Sequence, residues 1–331
     1  MDILDKTSLP SFVKEFLFHL VQKKRKSSTI RRYIYDLEDF FLWLHTEKRD
    51  LTFSTFANLS STDINNYFNI LTKTRNYQPR TTKRIQIVLN QLYKYYDNQG
   101  LSKNPIQKIS KIEVGEPLMM AEDFLTEQEI NHLFTSIRSY DGLSENQLKT
   151  RHLIVNRNEG IFILFLYYGL TLQELTGIQM TNIHFETNSI DITNSKKLRQ
   201  IKITPEHKQI LYKYYHTIPL PVRPRYHEDD PFFVAFDFQR GTYRWVYDNN
   251  KPKRLTNIAI QRMIQKEITR SGLRKGTSAQ HFRNTYILKE IEKGKTLSLL
   301  KEDLGLKTDL SLNKFFQFAS FQKKSESVLK K

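Results

Sequence analysis

Apolar residues recur at helical spacing through the first hundred positions, so the first part of the chain reads as a helical unit. Ile30, Tyr33, Leu37, Phe40, Phe41 and Leu44 form one stripe, which predicts an amphipathic helix with Ser28 or Thr29 as its N-cap. Arg31 and Arg32 lie off that stripe and face outward. An earlier helix is predicted over 10–21, with Phe12, Phe16, Leu17 and Leu20 inside and Pro10 tolerated in the first turn. Thr62 or Asp63 would cap a third helix carrying Ile64, Tyr67, Phe68 and Leu71. A fourth, over 81–98, would bury Ile85, Val88, Leu89, Leu92 and Tyr96, and Gly100 and Pro105 end the unit.

Past residue 112 the period is lost. Residues 113–123 read as a linker between a domain over 1–112 and a second over 124–331. Thr126 with Glu129 is a capping-box arrangement ahead of Ile130 and Leu133. A buried helix is expected over 159–168. Then β-branched runs at 189–193 and 200–203, joined by a basic turn, suggest a hairpin. A second strand pair is expected from 232–238 and 243–247, around Arg240-Gly241, and from Leu255 onward the pattern is helical again. The expected class is mainly α with a small α+β part.

The 331 residues suffice for two modest domains with a core each. Mean hydropathy is −0.56 and no apolar run reaches the ~18 residues of a membrane span, so no membrane association is expected. The opening Met1-Asp2, with Asp5, lacks the basic start of a secretory signal, and Cys is absent, so neither a disulfide nor a thiolate site is available. The expected location is cytoplasmic, on the nucleoid. The formal net charge is +17. Residues 1–115 hold 19 Lys+Arg against 11 Asp+Glu, a net of +8, and the remainder holds 33 against 24, a net of +9. Both parts are basic, which favours a polyanionic partner such as nucleic acid over a single basic tail, although a generally basic soluble protein would show the same sums.

Within that charge two patches stand out. Lys23, Lys24, Arg25 and Lys26 precede Ser28, Thr29, Arg31 and Arg32, and this run suits phosphate contacts, with a solvated charge run as the bland alternative. Arg80, Thr81, Thr82, Lys83 and Arg84 sit at a helix N-terminus, where free backbone N–H groups also favour phosphate. Arg270, Arg274 and Lys275 read as surface charge. The 22 Phe and 17 Tyr fall mostly on helix stripes, which makes packing a better account of them than base stacking. The nine histidines, His207, His216 and His227 included, show no metal-ligand spacing, and no phosphate-loop or dinucleotide fingerprint occurs, so no cofactor is expected.

Specific phrases then resemble the tyrosine recombinases, the family of phage integrases and Xer-type enzymes. In the first domain these are Ser28-Thr29-Ile30, Tyr33, Asp36-Leu37, Phe40 and Trp43-Leu44, then Arg84, Leu89, Tyr93, Tyr96, Gly100 and Asn104-Pro105. Phe124-Leu125-Thr126 with Glu129 and Ile130 looks like the start of that family's catalytic domain, and the resemblance spans roughly 8–320. It implies a helical core-binding (SAM-like) domain followed by a catalytic-fold domain, closing as a clamp on double-stranded DNA. It also implies that both basic patches of the first domain face DNA, together with Lys251, Lys253, Arg254 and Thr256 ahead of a later helix.

The family's reaction is phosphoryl transfer without a metal: a tyrosine attacks, two arginines clamp the phosphate, and a hairpin lysine and two histidine-type positions move protons. In Gly169-Leu170-Thr171-Leu172-Gln173-Glu174-Leu175 the frame of the first arginine is intact, but Thr171 stands in its place. The lysine maps to Lys196 or Lys197, and these two with Arg199 on the same hairpin are expected to contact DNA. In Gln280-His281-Phe282-Arg283-Asn284-Thr285 the second arginine survives as Arg283, while Gln280 replaces a histidine; His281 lies one position off. Leu306 follows Leu304-Gly305 where a histidine is usual, and Phe315 or Phe316 stands where the tyrosine belongs, with no Tyr after Tyr286. From these four substitutions, at Thr171, Gln280, Leu306 and Phe315, the expectation is no enzyme. The chain would be a sequence-specific DNA-binding protein, similar to the integrase-like master repressors that hold lysogeny in SPβ-type temperate phages, with a regulatory protein or peptide antagonist as a further partner. The alternative is a recombinase with displaced catalytic residues, or an accessory subunit of a recombination complex. The 311–331 segment would either swap between subunits or fold back in cis.

Overall fold

A computed structural model describes residues 7–115, 118–194 and 197–329, side chains at 194, 197 and 323–329 excepted. The chain divides into Met1–Glu116 and Pro117–Lys331.

The first unit is helical. Its main elements are α1 (Ser11–Gln22), α2 (Ser27–Lys48), α3 (Phe53–Ala57), α4 (Ser61–Asn69) and α5 (Pro79–Asp97). The stripes anticipated from spacing meet in one core, where Phe40 packs edge-on to Tyr67 at 5.1 Å and Phe56 stacks on Tyr93 at 4.2 Å. Each such ring, once fully buried, contributes about 1.5–3 kcal/mol. Two N-caps differ from expectation. Helix α4 is capped by Ser60, whose hydroxyl accepts from the Asp63 amide at 3.1 Å, while the Asp63 carboxylate accepts from the Ser60 amide at 2.9 Å. Asp63 is therefore the third-position partner of a capping box and not itself the cap. Helix α2 has no side-chain cap at all, so Ser28 and Thr29 lie inside its first turn. The buried Asp36 accepts from Arg84 Nε at 2.9 Å and Nη2 at 2.7 Å and pins α5 to α2.

The second unit begins with α6 (Glu127–Arg138), capped by Thr126 with Glu129 as the spacing implies. Helix α7 (Glu145–Tyr168) is more than twice as long as the stretch read from sequence. Arg151, Arg157, Asn158 and Glu159 occupy buried positions on it, so its apolar period is broken although the helix is not. Next come α8 (Leu172–Gly177), β1 (Ile183–His184), β2 (Ser189–Asn194), β3 (Lys197–Lys202) and α9 (Pro205–Thr217). The expected hairpin is the β2–β3 pair, in register Ile190↔Ile201, and β1 joins it antiparallel. The second strand pair is instead two short ladders, β4 (Phe236–Asp237) with β5 (Thr242–Tyr243), and β6 (Trp245–Val246) with β7 (Lys251–Pro252). Asp237 accepts from the Gln239 and Arg240 amides and turns the chain early, which cuts the first ladder short.

Four helices close the unit: α10 (Asn257–Arg270), α11 (Ala279–Glu292), α12 (Leu297–Asp303) and α13 (Leu310–Leu329). Helix α11 faces two cores. Phe282 sits against Phe162 and Phe165 of α7. Ile287, Leu288 and Ile291 join Phe124, Leu300, Leu304, Leu312 and Phe315 in a separate cluster. Through Phe315 and Phe318, both ringed against Phe124, α13 packs on its own chain. Among the described residues no helix is long and apolar enough to cross a membrane, and no group of His, Cys, Asp or Glu is placed to hold a metal ion.

Candidate nucleic-acid interface

Glu174 is the centre of the family-like site. Its backbone N–H donates to the Thr171 hydroxyl that caps α8, and its carboxylate accepts from the Thr171 amide at 2.7 Å and from the Thr171 hydroxyl at 2.9 Å. The same buried carboxylate lies 3.3 Å from Arg199 of β3 and 3.5 Å from Arg283 of α11. One anion thus holds two guanidiniums inside the protein. Burial pushes Arg283 below the ordinary guanidinium value; Glu174 opposes that shift and the charge of Arg199 adds to it. Arg283 also donates to the Gly169 carbonyl, and Arg199 donates to the Asp303 carbonyl at 2.5 Å while its buried Nε has no partner. Gly169 has φ 60° and the Tyr286 ring lies where a Cβ would project, so only glycine fits this corner.

Thr171, Gln280 and Arg283 line one cleft of about 910 Å³, with Lys275 on its wall. Within the cleft Gln280 is tied to its own helix, and the other family positions turn elsewhere. Gln280 donates to Asn284 at 2.7 Å. His281 does not fill the vacant histidine position: its Nδ1 accepts from the Ser278 amide at 3.1 Å, and burial lowers its pKa. Leu306 packs on the third core cluster, and Phe315 is 2% exposed within that cluster. Lys196 lies outside the described residues, and of Lys197 only the backbone is described, paired with Asn194.

The basic patches sort by exposure. Lys23, Lys24, Arg25, Lys26, Ser28, Arg31 and Arg32 are exposed, Thr29 less so, around the uncapped start of α2. Lys24 takes a left-handed φ of 54°, which reverses the chain between α1 and α2 and leaves the cationic run on the outside. At α5, Arg80 is exposed and Thr81 and Lys83 are half-buried. Thr82 is fully buried and bonds back to the Gln78 carbonyl, and Arg84 is half-buried with Nε and Nη2 held by Asp36. Lys253 is exposed and Thr256 caps α10 through the Ala259 amide at 3.2 Å, whereas Arg254 turns inward to the Thr176 carbonyl. Sequence reasoning quoted Glu174 only as part of a frame and missed its role. The signal was available: a carboxylate three residues after a cap-type Thr, on a chain that keeps Arg283.

No family model matches the sequence. The sequence is, however, similar along almost its whole length to named proteins. It is 22% identical over 321 residues to a tyrosine recombinase of Thermosipho africanus, covering 96% of each chain. It is 22% identical over 326 residues to the tyrosine recombinase XerC of Pediococcus pentosaceus, covering 97% of each. Among solved structures, the XerH site-specific recombinase bound to palindromic difH substrate, a post-cleavage complex, aligns over 97% of this chain and 85% of that one with a TM-score of 0.68 at 17% identity. A lambda integrase dimer bound to a COC' core site aligns over 92% and 94% with a TM-score of 0.62 at 13% identity. The fold is that of the tyrosine recombinases. The resemblance read from the sequence holds for nearly the entire chain.

One expectation is corrected by these likenesses. Four substituted positions led to the expectation of no enzyme, yet the relatives matching 96–97% of the chain are named as recombinases, and the structural neighbours include a recombinase caught after cleavage. The reading of this chain as a non-enzyme is withdrawn. What the residues establish is local: the ring at 315 carries no hydroxyl, and the cleft holds Arg283 but not a second arginine at 171.

Proposed function

We propose that the chain binds double-stranded DNA site-specifically as a recombinase-type subunit. The observation that carries this reading is the Arg283 cleft, kept in a chain whose likeness to tyrosine recombinases runs end to end. Arg283 is oriented by Glu174 and the Gly169 carbonyl, and a guanidinium fixed in this way suits a phosphate oxygen, because its ordering cost is met before DNA arrives. In this reading Lys23–Arg32 with Arg80 and Lys83 grip the backbone from the first unit, and Lys253, Thr256 and the hairpin lysine at 196 or 197 grip it from the second. Recombination chemistry would take its nucleophile from a tyrosine other than position 315. Tyr286, one turn beyond Arg283, is the candidate: it lines a neighbouring concavity with Tyr168, Arg199 and Lys295, and burial raises its pKa.

A second reading, occupancy of a promoter as a prophage repressor, is favoured by one observation: Phe315 is packed in an apolar cluster, and occupancy asks nothing of that position. Selection of genomic fragments bound by the full chain separates the two. Paired inverted half-sites away from promoters support the recombinase-type role; sites overlapping promoters support the repressor role. A half-site nicked beside the scissile phosphate then tests the chemistry, since a covalent adduct lost in Tyr286→Phe would assign the nucleophile, and no adduct at any site would contradict the recombination part of the proposal.

A further inference from the structure

A second concavity lies on the other side of α10 from the Arg283 cleft, between α7, α10 and the 235–256 ladders. It measures about 870 Å³, within the range of small-molecule pockets. Its lining carries eight cationic side chains and one carboxylate, Glu267. Arg151 and Arg157 form the floor, each 3% exposed. Glu267 takes Arg151 at 2.5 Å and Arg270 at 2.7 Å, and Asn158 donates to it at 3.0 Å. Burial alone would raise the Glu267 pKa, but the two arginines hold it below the usual carboxylate range. Arg157 meets only neutral oxygens, those of Asn158 and the Val234 carbonyl, all at 3.2–3.3 Å. The Nε of Arg151 is buried without a partner. Arg151 and Arg270 therefore share one anion in a water-poor floor, and Arg157 beside them has no ion-pair partner among the described residues, which leaves positive charge uncompensated, a costly arrangement for a purely structural network.

The rim has a different character. Phe238 and Ile258 are 50% and 61% exposed there, and Arg262 and Lys266 flank them, Lys266 with its ammonium 5.9 Å from the Phe238 ring. Charge at depth and apolar surface at the mouth describe a ligand with an anionic head and a flat or apolar body.

We propose that this cavity binds a small phosphate-bearing molecule, its anionic group on Arg151 and Arg157 and its apolar body against Phe238 and Ile258. Duplex DNA is too wide to carry a backbone phosphate to arginines this buried. Lys253 and Thr256, read above as DNA contacts, stand on the same rim, so occupancy of the cavity is expected to alter DNA affinity. The inference does not rest on recombination: it concerns a site lined by other residues than the Arg283 cleft, Gln265 and Thr269 excepted.

The test is calorimetric titration of the full chain with AMP, inorganic phosphate and adenosine at matched ionic strength, alongside a short duplex. The expected result is saturable binding of AMP, weaker binding of phosphate and none of adenosine. Arg262→Gln with Lys266→Gln, both exposed, should weaken AMP by about tenfold, as loss of a charge-assisted contact implies. Arg157→Lys, which keeps the charge but loses the fork, should weaken it further while thermal unfolding reports that the variant folds. Saturable phosphate binding with no gain from the AMP body would overturn the apolar half of the proposal. Absence of binding by AMP and phosphate, with the rim variants weakening only the duplex, would overturn it altogether and assign the cavity to the DNA backbone.

Discussion

Glu174 places a single negative charge between two buried guanidiniums and also closes the N-terminus of α8. Its removal leaves Arg199 and Arg283 facing each other with no anion between them. Glu174→Ala should therefore destabilise the second unit by about 3–5 kcal/mol in urea unfolding, because breaking a buried pair strands its partners. Thr171→Arg is the informative counterpart, since it removes the cap that Glu174 answers. Position 315 gives another residue-scale prediction. Phe315→Tyr puts a phenol into a cluster of Met119, Phe124, Leu300 and Leu304, and it should cost about 1–3 kcal/mol in the same measurement if no partner meets the hydroxyl. A neutral result would show a polar partner for that atom. At this scale the sequence was readable where a frame was kept: Gly169-Leu170 and Glu174-Leu175 flag the site without any structure. Arg199 was not. It was read as a DNA contact on a basic hairpin, but strand alternation turns Leu198 and Gln200 out and Arg199 in, and the phase of that alternation is set by what lies beneath β3.

Among the elements, helix ends were the least legible feature. The spacing placed α2, α4 and α5 within a few residues, since an apolar stripe is fixed by what it must bury. Two caps went wrong for different reasons: at α4 neighbouring Ser, Thr and Asp compete for one position, and α2 has no side-chain cap. Helix α4 lets that competition be measured. Hydrogen bonds from the Ser60 side chain and backbone, then from Lys48, lower the Asp63 pKa from 3.8 to about 2. A depressed folded value means the stabilisation is complete above pH ~4 and is lost as pH falls toward ~2. Asp63→Asn should therefore lower the unfolding midpoint at pH 6 and converge with the parent near pH 2; equal separation of the two curves at both pH values would contradict the capping-box account. Helix α7 shows the opposite difficulty. Its first half was missed because Arg151 and Asn158 are buried polar residues held by Glu267 of α10, more than a hundred positions away, and Arg157 is held by the Val234 carbonyl.

At the scale of the whole molecule, charge and periodicity together pointed to two basic units, and each unit has its own core of buried aromatics. Residues 1–116 should accordingly unfold cooperatively as an isolated fragment, with helical circular dichroism; a fragment lacking a sigmoidal transition would show that its core needs the rest of the chain. The cavity beneath Phe238 was not readable, because its walls come from four separate stretches that only folding brings together. The fold-level likeness is broad, and the account turns on whether this particular chain reads sequence in a duplex. Competition binding decides that: a labelled duplex carrying the selected genomic site is held by the full chain at ~0.15 M salt against excess scrambled duplex of equal length, where nonspecific contacts are weak. The account predicts that the selected site survives the competitor and that charge removal at Lys24 with Arg25, or at Lys253, weakens it; equal displacement by selected and scrambled duplex would contradict it.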